Sequence, residues 1–212
     1  MISGHLFAAG DKPLWDEIIA RNIAAALYDL PINSSQVTVF SLALTLISGL
    51  LFATGNPWPS GVAALLFIIV RLLEHVAGEL ARIKPGVSSP GYYLDWFANT
   101  FSYVCLFISL ATGFRDELPP ALLLTITSLA VAACLVNTVI GIYQQRQKTA
   151  VTAASFPAYA GFGIDDGMYL IGPITWLGLL FHFFILSAVG AVIYTGIVVA
   201  GFIRSVDQQD LD

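Results

Sequence analysis

A chain of 212 residues that is 57% apolar and only 11% charged, with a mean hydropathy of +0.80, carries more apolar surface than a water-soluble domain of this size can bury. The net charge of -5 counts mainly acidic residues of tails and loops, expected to be solvated, such as Asp11, Asp16, Asp207, Asp210 and Asp212. Nine scattered Lys and Arg form no basic stripe, which excludes a nucleic-acid-binding protein.

Met1-Ile-Ser-Gly-His shows no basic region followed by an apolar core, so no cleaved signal peptide is expected. Residues 11–29 read as an amphipathic helix with Asp11 as N-cap and Pro13 in its first turn. Leu14, Trp15, Ile18, Ile19, Ile23 and Ala26 recur on one face, with Asp16, Glu17 and Arg21 towards the other, the pattern of a helix lying in the membrane interface.

Nothing ionised lies between Asp29 and Arg71, nor between Asp166 and Arg204. A bilayer core takes roughly 20 residues per helical crossing, so each stretch is long enough for a pair of spans. The first span is predicted from about Val37 to Ala53, closed by the turn residues of Gly55-Asn56-Pro57-Trp58-Pro59-Ser60-Gly61. The second runs from about Val62 past Arg71 to Ile83, the third from about Tyr92 to Gly113 and the fourth from about Ala121 to Tyr143. The last apolar run, about Met168 to Ile203, is expected to hold two spans with a turn near His182. Cys105 and Cys134 fall in apolar runs without metal-ligand spacing and read as buried inert thiols.

The expectation is an all-α integral membrane protein in one domain over 1–212, with an interfacial helix at 11–29 and six transmembrane helices over about 37–205. Lys12, Arg21, Arg82, Lys84, Arg146, Lys148 and Arg204 fall on one side of that bundle and Arg115 alone on the other. The basic side is predicted to be cytoplasmic and to carry both termini, in an inner or plasma membrane of bacterial type.

The charges at membrane depth concentrate in Arg71-Leu-Leu-Glu74-His75-Val-Ala77-Gly78-Glu79-Leu-Ala81-Arg82. Arg71, Glu74, His75, Ala77, Gly78, Ala81 and Arg82 share one broad helical arc, and Gly91, Asp95 and Asn99 recur at i, i+4 on the next helix. Intramembrane charges turn towards protein or a wet cavity, so a polar cleft between the second and third spans is predicted. Arg82 suits a phosphate by forked hydrogen bonds, and the oxygens of Glu74, Asp95 and Asn99 suit a hard cation such as Mg²⁺. Arg71 and Glu74 at i, i+3 read equally well as a buried ion pair or as substrate contacts. Glu79, about 140° round the helix from Glu74, is expected to face solvent or a loop, and His75 to be a hydrogen-bonded structural residue. Asp165 and Asp166 are read as a solvated helix start.

Glu74-x2-Ala77-Gly78-x2-Ala81-Arg82-x8-Gly91-x3-Asp95-x3-Asn99 resembles the signature of the CDP-alcohol phosphotransferases, D-x2-D-G-x2-A-R-x8-G-x3-D-x3-D. The whole spacing is kept, with identity at Gly78, Ala81, Arg82, Gly91 and Asp95, and Pro31-Ile-Asn33 resembles the family's lead-in to its first membrane helix. The resemblance implies a six-span fold with a cytoplasm-facing site. It also implies transfer of a substituted phosphate from a CDP-linked lipid donor to an alcohol in phospholipid biosynthesis. Gly78, Ala81, Arg82 and Gly91 would then bind substrate, Glu74, Asp95 and Asn99 would hold Mg²⁺ or Mn²⁺, and Asn99 would stand at the position of the catalytic base. Two departures qualify this. Ala77 cannot bind metal, and Asn99 has no basic lone pair suited to proton abstraction, so one metal or none is expected rather than two. The alternative is a catalytically inactive relative that serves as a lipid-binding or structural subunit of a membrane complex. Membrane lipids are the expected partners either way, with a homodimer or a larger membrane assembly as the oligomeric form. A transporter is disfavoured, since broken helices and paired repeats are not evident in the sequence.

Overall fold

The computed structural model describes residues 15–84, 89–146 and 164–209, and within these not the side chains of 89–93, 95, 144–146, 164–166 and 205–209. In chain order the helices are α1 (Trp15–Ala26), α2 (Ser34–Ala53), α3 (Pro57–Ile83), α4 (Ser89–Gly113), α5 (Pro120–Arg146), a 3-10 helix (Ile164–Leu170), α6 (Ile171–Trp176) and α7 (Leu180–Gln209). No strand occurs among the described residues. Asp11, Pro13, Leu14 and Lys148 lie outside them, as do the side chains of Asp165, Asp166, Tyr92, Tyr93 and Arg146.

Local chemistry sets the helix starts. Asn33 Oδ1 accepts the Gln36 N–H at 2.9 Å while Gln36 Oε1 accepts the Asn33 N–H at 3.0 Å, a reciprocal capping box that begins α2 three residues ahead of the expected Val37. Pro57 and Pro59, expected in a turn, instead form the first turn of α3, where a missing N–H costs no helical hydrogen bond.

Among the described residues, five helices are long and apolar enough to cross a membrane: Ser34–Ala53, Pro57–Ile83, Trp96–Gly113, Pro120–Tyr143 and Leu180–Arg204. The last apolar run departs from expectation. His182 lies inside α7, and the turn falls earlier, at Gly178, whose φ of 75° closes α6. The Leu179 N–H bonds to the Ile174 carbonyl and the Gly178 N–H to the Thr175 carbonyl, each at 3.0 Å, which is the Schellman pattern with glycine at C′. Upstream, Pro173 has no N–H to give the preceding turn, and 164–176 is split into seven residues of 3-10 helix and six of α-helix. At about 2.0 and 1.5 Å per residue those pieces extend for only ~23 Å, short of a hydrocarbon core of ~30 Å. The expected fifth of six spans is therefore not a full-length helix.

The inner face of α2 is polar and small and its outer face apolar and large, while Phe52, Phe67, Leu106, Phe107, Leu110 and Phe184 form an apolar core between the helices. On α2, Thr38, Ser41, Thr45, Ser48 and Gly49 are buried at helical spacing, whereas Val39, Phe40, Leu46, Ile47 and Leu50 are exposed. In hydrocarbon there is nothing to gain from hiding a leucine, so helices meet through close backbone approach and hydrogen bonds. Ser48 Oγ donates to the Ala63 carbonyl of α3 at 2.9 Å, Thr45 and Ser102 hydroxyls join α2 to α4 at 3.2 Å, and Thr100 and Thr138 join α4 to α5 at 2.6 Å. Cys105 and Cys134 are free thiols, half-buried rather than fully enclosed.

α1 docks on the C-terminal half of α3 through small residues. Ala20 and Ala24 are buried with Val37, Val76, Ala77 and Leu80, leaving Ile18 and Ile19 exposed on the outer face, where a membrane interface can take them up. Asp16, expected to be solvated, is only 2% exposed: the Tyr169 hydroxyl donates to its Oδ2 at 3.3 Å, and His75 Nε2 lies 3.5 Å from the same oxygen. Trp15 meets the Tyr169 ring edge-on at 4.9 Å, so α1, α3 and the 3-10 helix converge there.

Gly49 tests the close-packing argument. A Cβ there would stand 2.6 Å from Cys105 Sγ of α4. Gly49→Leu is expected to lose about 1–3 kcal/mol by overpacking, read as a lower unfolding midpoint in detergent, whereas Leu50→Ala on the exposed face leaves that midpoint unchanged.

Candidate functional site

The C-terminal half of α3, the start of α1 and the first half of α4 enclose a cleft of about 210 Å³ lined by Glu17, Arg71, Glu74, His75, Gly78, Glu79, Arg82 and Asn99. Four of the eight motif residues, Glu74, Gly78, Arg82 and Asn99, therefore meet, together with Arg71 and His75 of the same helical arc. Gly91 lies in the first turn of α4 and Asp95 one turn on, but the surroundings of Gly91 and the side chain of Asp95 lie outside the described residues. Ala77 and Ala81 do not line the cleft. Ala77 is fully buried in the α1–α2–α3 apolar cluster, where its carbonyl accepts from Ser34 Oγ at 2.8 Å, and Ala81 is half-buried.

The centre of the cleft wall is a charge pair. Arg71, 4% exposed, bonds through Nη1 to Glu74 Oε2 on its own helix and donates from the same nitrogen to Asn99 Oδ1 on α4 at 2.8 Å. Glu74 Oε1 accepts from Ser102 Oγ at 2.6 Å, and the guanidinium carbon lies 4.9 Å from the centre of the Tyr103 ring. Each partner lowers the cost of placing a charge at this depth: a carboxylate, a neutral acceptor, a hydroxyl donor and an aromatic face. Of the two roles weighed for Arg71 and Glu74, the ion pair is the one formed.

At the mouth of the cleft, Glu79 is buried, not solvent-facing as expected. Its Oε1 accepts from Arg82 Nη1 at 2.7 Å and its Oε2 lies 3.6 Å from Arg21 Nε of α1. The reason is geometric: α1 covers the side of α3 that the helical angle alone assigns to solvent. Arg82 remains 63% exposed in its side chain and so keeps donors at the cleft mouth. His75 donates from Nδ1 to the Arg71 carbonyl at 2.9 Å, in keeping with a structural histidine.

A Cβ built on Gly78 would meet nothing within 4 Å. No neighbouring helix requires glycine there, and its missing side chain leaves room in the cleft.

The described donors do not fit a divalent cation. Both Glu74 oxygens and Asn99 Oδ1 are engaged by protein donors, and a guanidinium sits between the two residues. Position 77 is an alanine turned into an apolar cluster, and no group of three His, Cys, Asp or Glu able to hold a metal occurs among the described residues. Glu74 and Asn99, expected as ligands, bond here to Arg71 and Ser102, and the side chain of the third expected ligand, Asp95, lies outside the described residues.

Ser102, Tyr103, Thr45 and the Asp16–Tyr169 pair are site or supporting residues that the sequence reading missed. Ser102 follows Asn99 by three residues on the same helical face, a spacing that flags it. Nothing local marks Asp16 or Tyr169, which meet across 153 residues.

Removing one partner of a buried pair strands the other charge. Arg71→Met is expected to cost about 3–5 kcal/mol and Ser102→Ala about 1–3 kcal/mol, both read from denaturation midpoints in detergent micelles. In a double-mutant cycle with Glu74→Gln the Arg71 and Glu74 losses are strongly non-additive; additive losses would contradict the pairing.

No protein-family model and no curated protein sequence matches the chain. Solved structures do. The crystal structure of Mycobacterium tuberculosis phosphatidylinositol phosphate synthase (PgsA1) with CDP-DAG bound is similar with a TM-score of 0.62 and 19% identity, over 87% of this chain and 94% of that one. The same enzyme in complex with manganese and citrate gives 0.61 and 19%, over 86% and 88%. Its apo form gives 0.59 and 18%, over 85% and 94%. At this identity the likeness concerns the fold, and it spans nearly the whole of both chains. The chain is accordingly an all-helical membrane protein with the fold of the CDP-alcohol phosphotransferases, the family its motif spacing resembles.

Proposed function

We propose that the chain is a divergent member of the CDP-alcohol phosphotransferases, acting in phospholipid biosynthesis on a CDP-linked lipid donor in the α1–α3–α4 cleft. The observation that carries this is the cleft itself. It joins the motif positions Glu74, Gly78, Arg82 and Asn99 from two helices, in a fold shared with a synthase whose crystal structure holds CDP-DAG. Arg21, Arg82 and Lys84 cluster at this end of the bundle while Arg115 lies at the α4–α5 turn, and the basic excess favours a cytoplasmic cleft.

In the reaction an acceptor alcohol oxygen bonds to the lipid-side phosphorus of the donor. The bond from that phosphorus to the CMP oxygen breaks, and CMP leaves with the electron pair. Arg82 exchanges its Glu79 partner for donor phosphate oxygens and stabilises the charge that develops on them. Gly78 leaves the space in which the phosphates approach the helix. Asn99 positions Arg71 and is not a base, because an amide oxygen does not take a proton at neutral pH. The acceptor proton therefore leaves by a route that does not include residue 99.

The bonding of Arg71 to both Glu74 and Asn99 favours a second reading, a catalytically inactive relative that retains the lipid pocket as a subunit of a membrane complex. Purified chain incubated with CDP-diacylglycerol and a panel of alcohols separates the two. The enzyme reading expects CMP release, and Arg82→Ala to slow it about tenfold or more, the equivalent of losing a charge-assisted hydrogen bond of about 1.5–3 kcal/mol. CDP-diacylglycerol binding without CMP release, together with a stoichiometric protein partner on purification, would establish the inactive reading instead.

A further inference from the structure

The buried cation in this cleft belongs to the protein. Arg71 Nη1 bonds to Glu74 Oε2 of α3 and to Asn99 Oδ1 of α4, so it joins two helices at the first and last positions of the motif. We propose that the Arg71 guanidinium takes the place of a divalent metal, and that the cleft binds the diphosphate of a nucleotide-linked lipid without metal.

Charge balance supports the exchange. Among the three side chains bonded to one another, one guanidinium, one carboxylate at 74 and a neutral amide at 99 sum to zero. A carboxylate at 99 would add a negative charge beside Glu74, whereas the amide accepts from Arg71 without one, so a residue that weakens a metal site is one that suits the arginine.

Geometry supports it as well. A divalent ion between Glu74 and Asn99 would have to displace Nη1 from both oxygens and sit against a positive guanidinium. That guanidinium has no ready retreat, since Tyr103 lies against its face and it is 4% exposed. Ser102 already donates to the remaining Glu74 oxygen. Arginine is also suited to the task, being charged at every relevant pH and presenting several donors in a plane. Arg71 lines the cleft together with Arg82, so two guanidinium groups face the space that a diphosphate would fill.

The identity of the ligand rests on the function proposed above; the replacement of metal by Arg71 does not, and two measurements keep them apart. In the first, the intact chain in detergent is titrated with Mn²⁺ and followed by electron paramagnetic resonance. The expected result is no stoichiometric site in the native chain. Stoichiometric Mn²⁺ that Glu74→Gln abolishes overturns the proposal whatever the ligand is. The double variant Arg71→Met with Asn99→Asp is expected to gain a Mn²⁺ site, visible as bound Mn²⁺ and as a rise in melting temperature on adding the ion. If that variant does not fold, the native titration still decides.

In the second measurement, CDP-diacylglycerol binding to the native chain is compared in EDTA and in Mn²⁺. The expected affinities agree within about twofold, whereas binding that needs Mn²⁺, or tightens about tenfold with it, overturns the proposal. Failure to bind under either condition overturns the functional reading, and the Mn²⁺ titration then decides the role of Arg71 by itself.

Discussion

An arginine and a glutamate inside an apolar bundle constrain everything placed around them. Arg71 cannot be left alone at this depth, and each feature of its surroundings answers that demand: Glu74 one helical turn away, Asn99 and Ser102 on α4, and the face of Tyr103. Because these partners sit on two helices, the cost of the charge becomes a restraint on the position of α4 against α3. Thr45 of α2 extends the network through Ser102, so α2 shares one chain of polar contacts with the cleft helices α3 and α4.

The rest of the bundle follows the same economy of polar groups in an apolar solvent. Small hydroxyl residues line the interior of α2, and the close approach at Gly49 lets α4 lie against it. The larger apolar residues of α2, such as Phe40, Leu46 and Leu50, face outward, where lipid replaces water as the neighbour. Where α1 meets α3 a second kind of restraint takes over. Glu79 between Arg21 and Arg82, and Asp16 beside His75 and Tyr169, tie α1 to α3 and to the 3-10 helix. α1 is thereby coupled to the cleft wall.

Functionally, the cleft combines a fixed interior with a changeable rim. Arg71 and Glu74 are committed to each other and shape the interior, while Arg82 is held by a partner at the surface that an anionic ligand can displace. Under the proposed function this division reconciles phosphate binding with the residues found at two motif positions, Ala77 packed in an apolar cluster and Asn99 accepting from Arg71.

Much of the fold was legible in sequence. Apolar runs bounded by turn residues placed four of the long helices, α2 to α5, to within about five residues at each end, and 3.6-residue periodicity put Glu74, Gly78 and Arg82 on the face that became the cleft. The turn at Gly178 was legible in principle, because a glycine following a proline-containing segment is a helix stop, but a run of uniform hydropathy masked it. What the sequence by itself determined was the long helices α2 to α5, the helical periodicity of their faces and the motif spacing, since these depend on local backbone geometry and on transfer to lipid. Only the tertiary structure decided which neighbour covers each face. That choice buried Glu79 and Asp16, sent Ala77 into an apolar cluster and placed Arg71 between Glu74 and Asn99, because the free energy of an ion at membrane depth is set by partners that arrive from other helices.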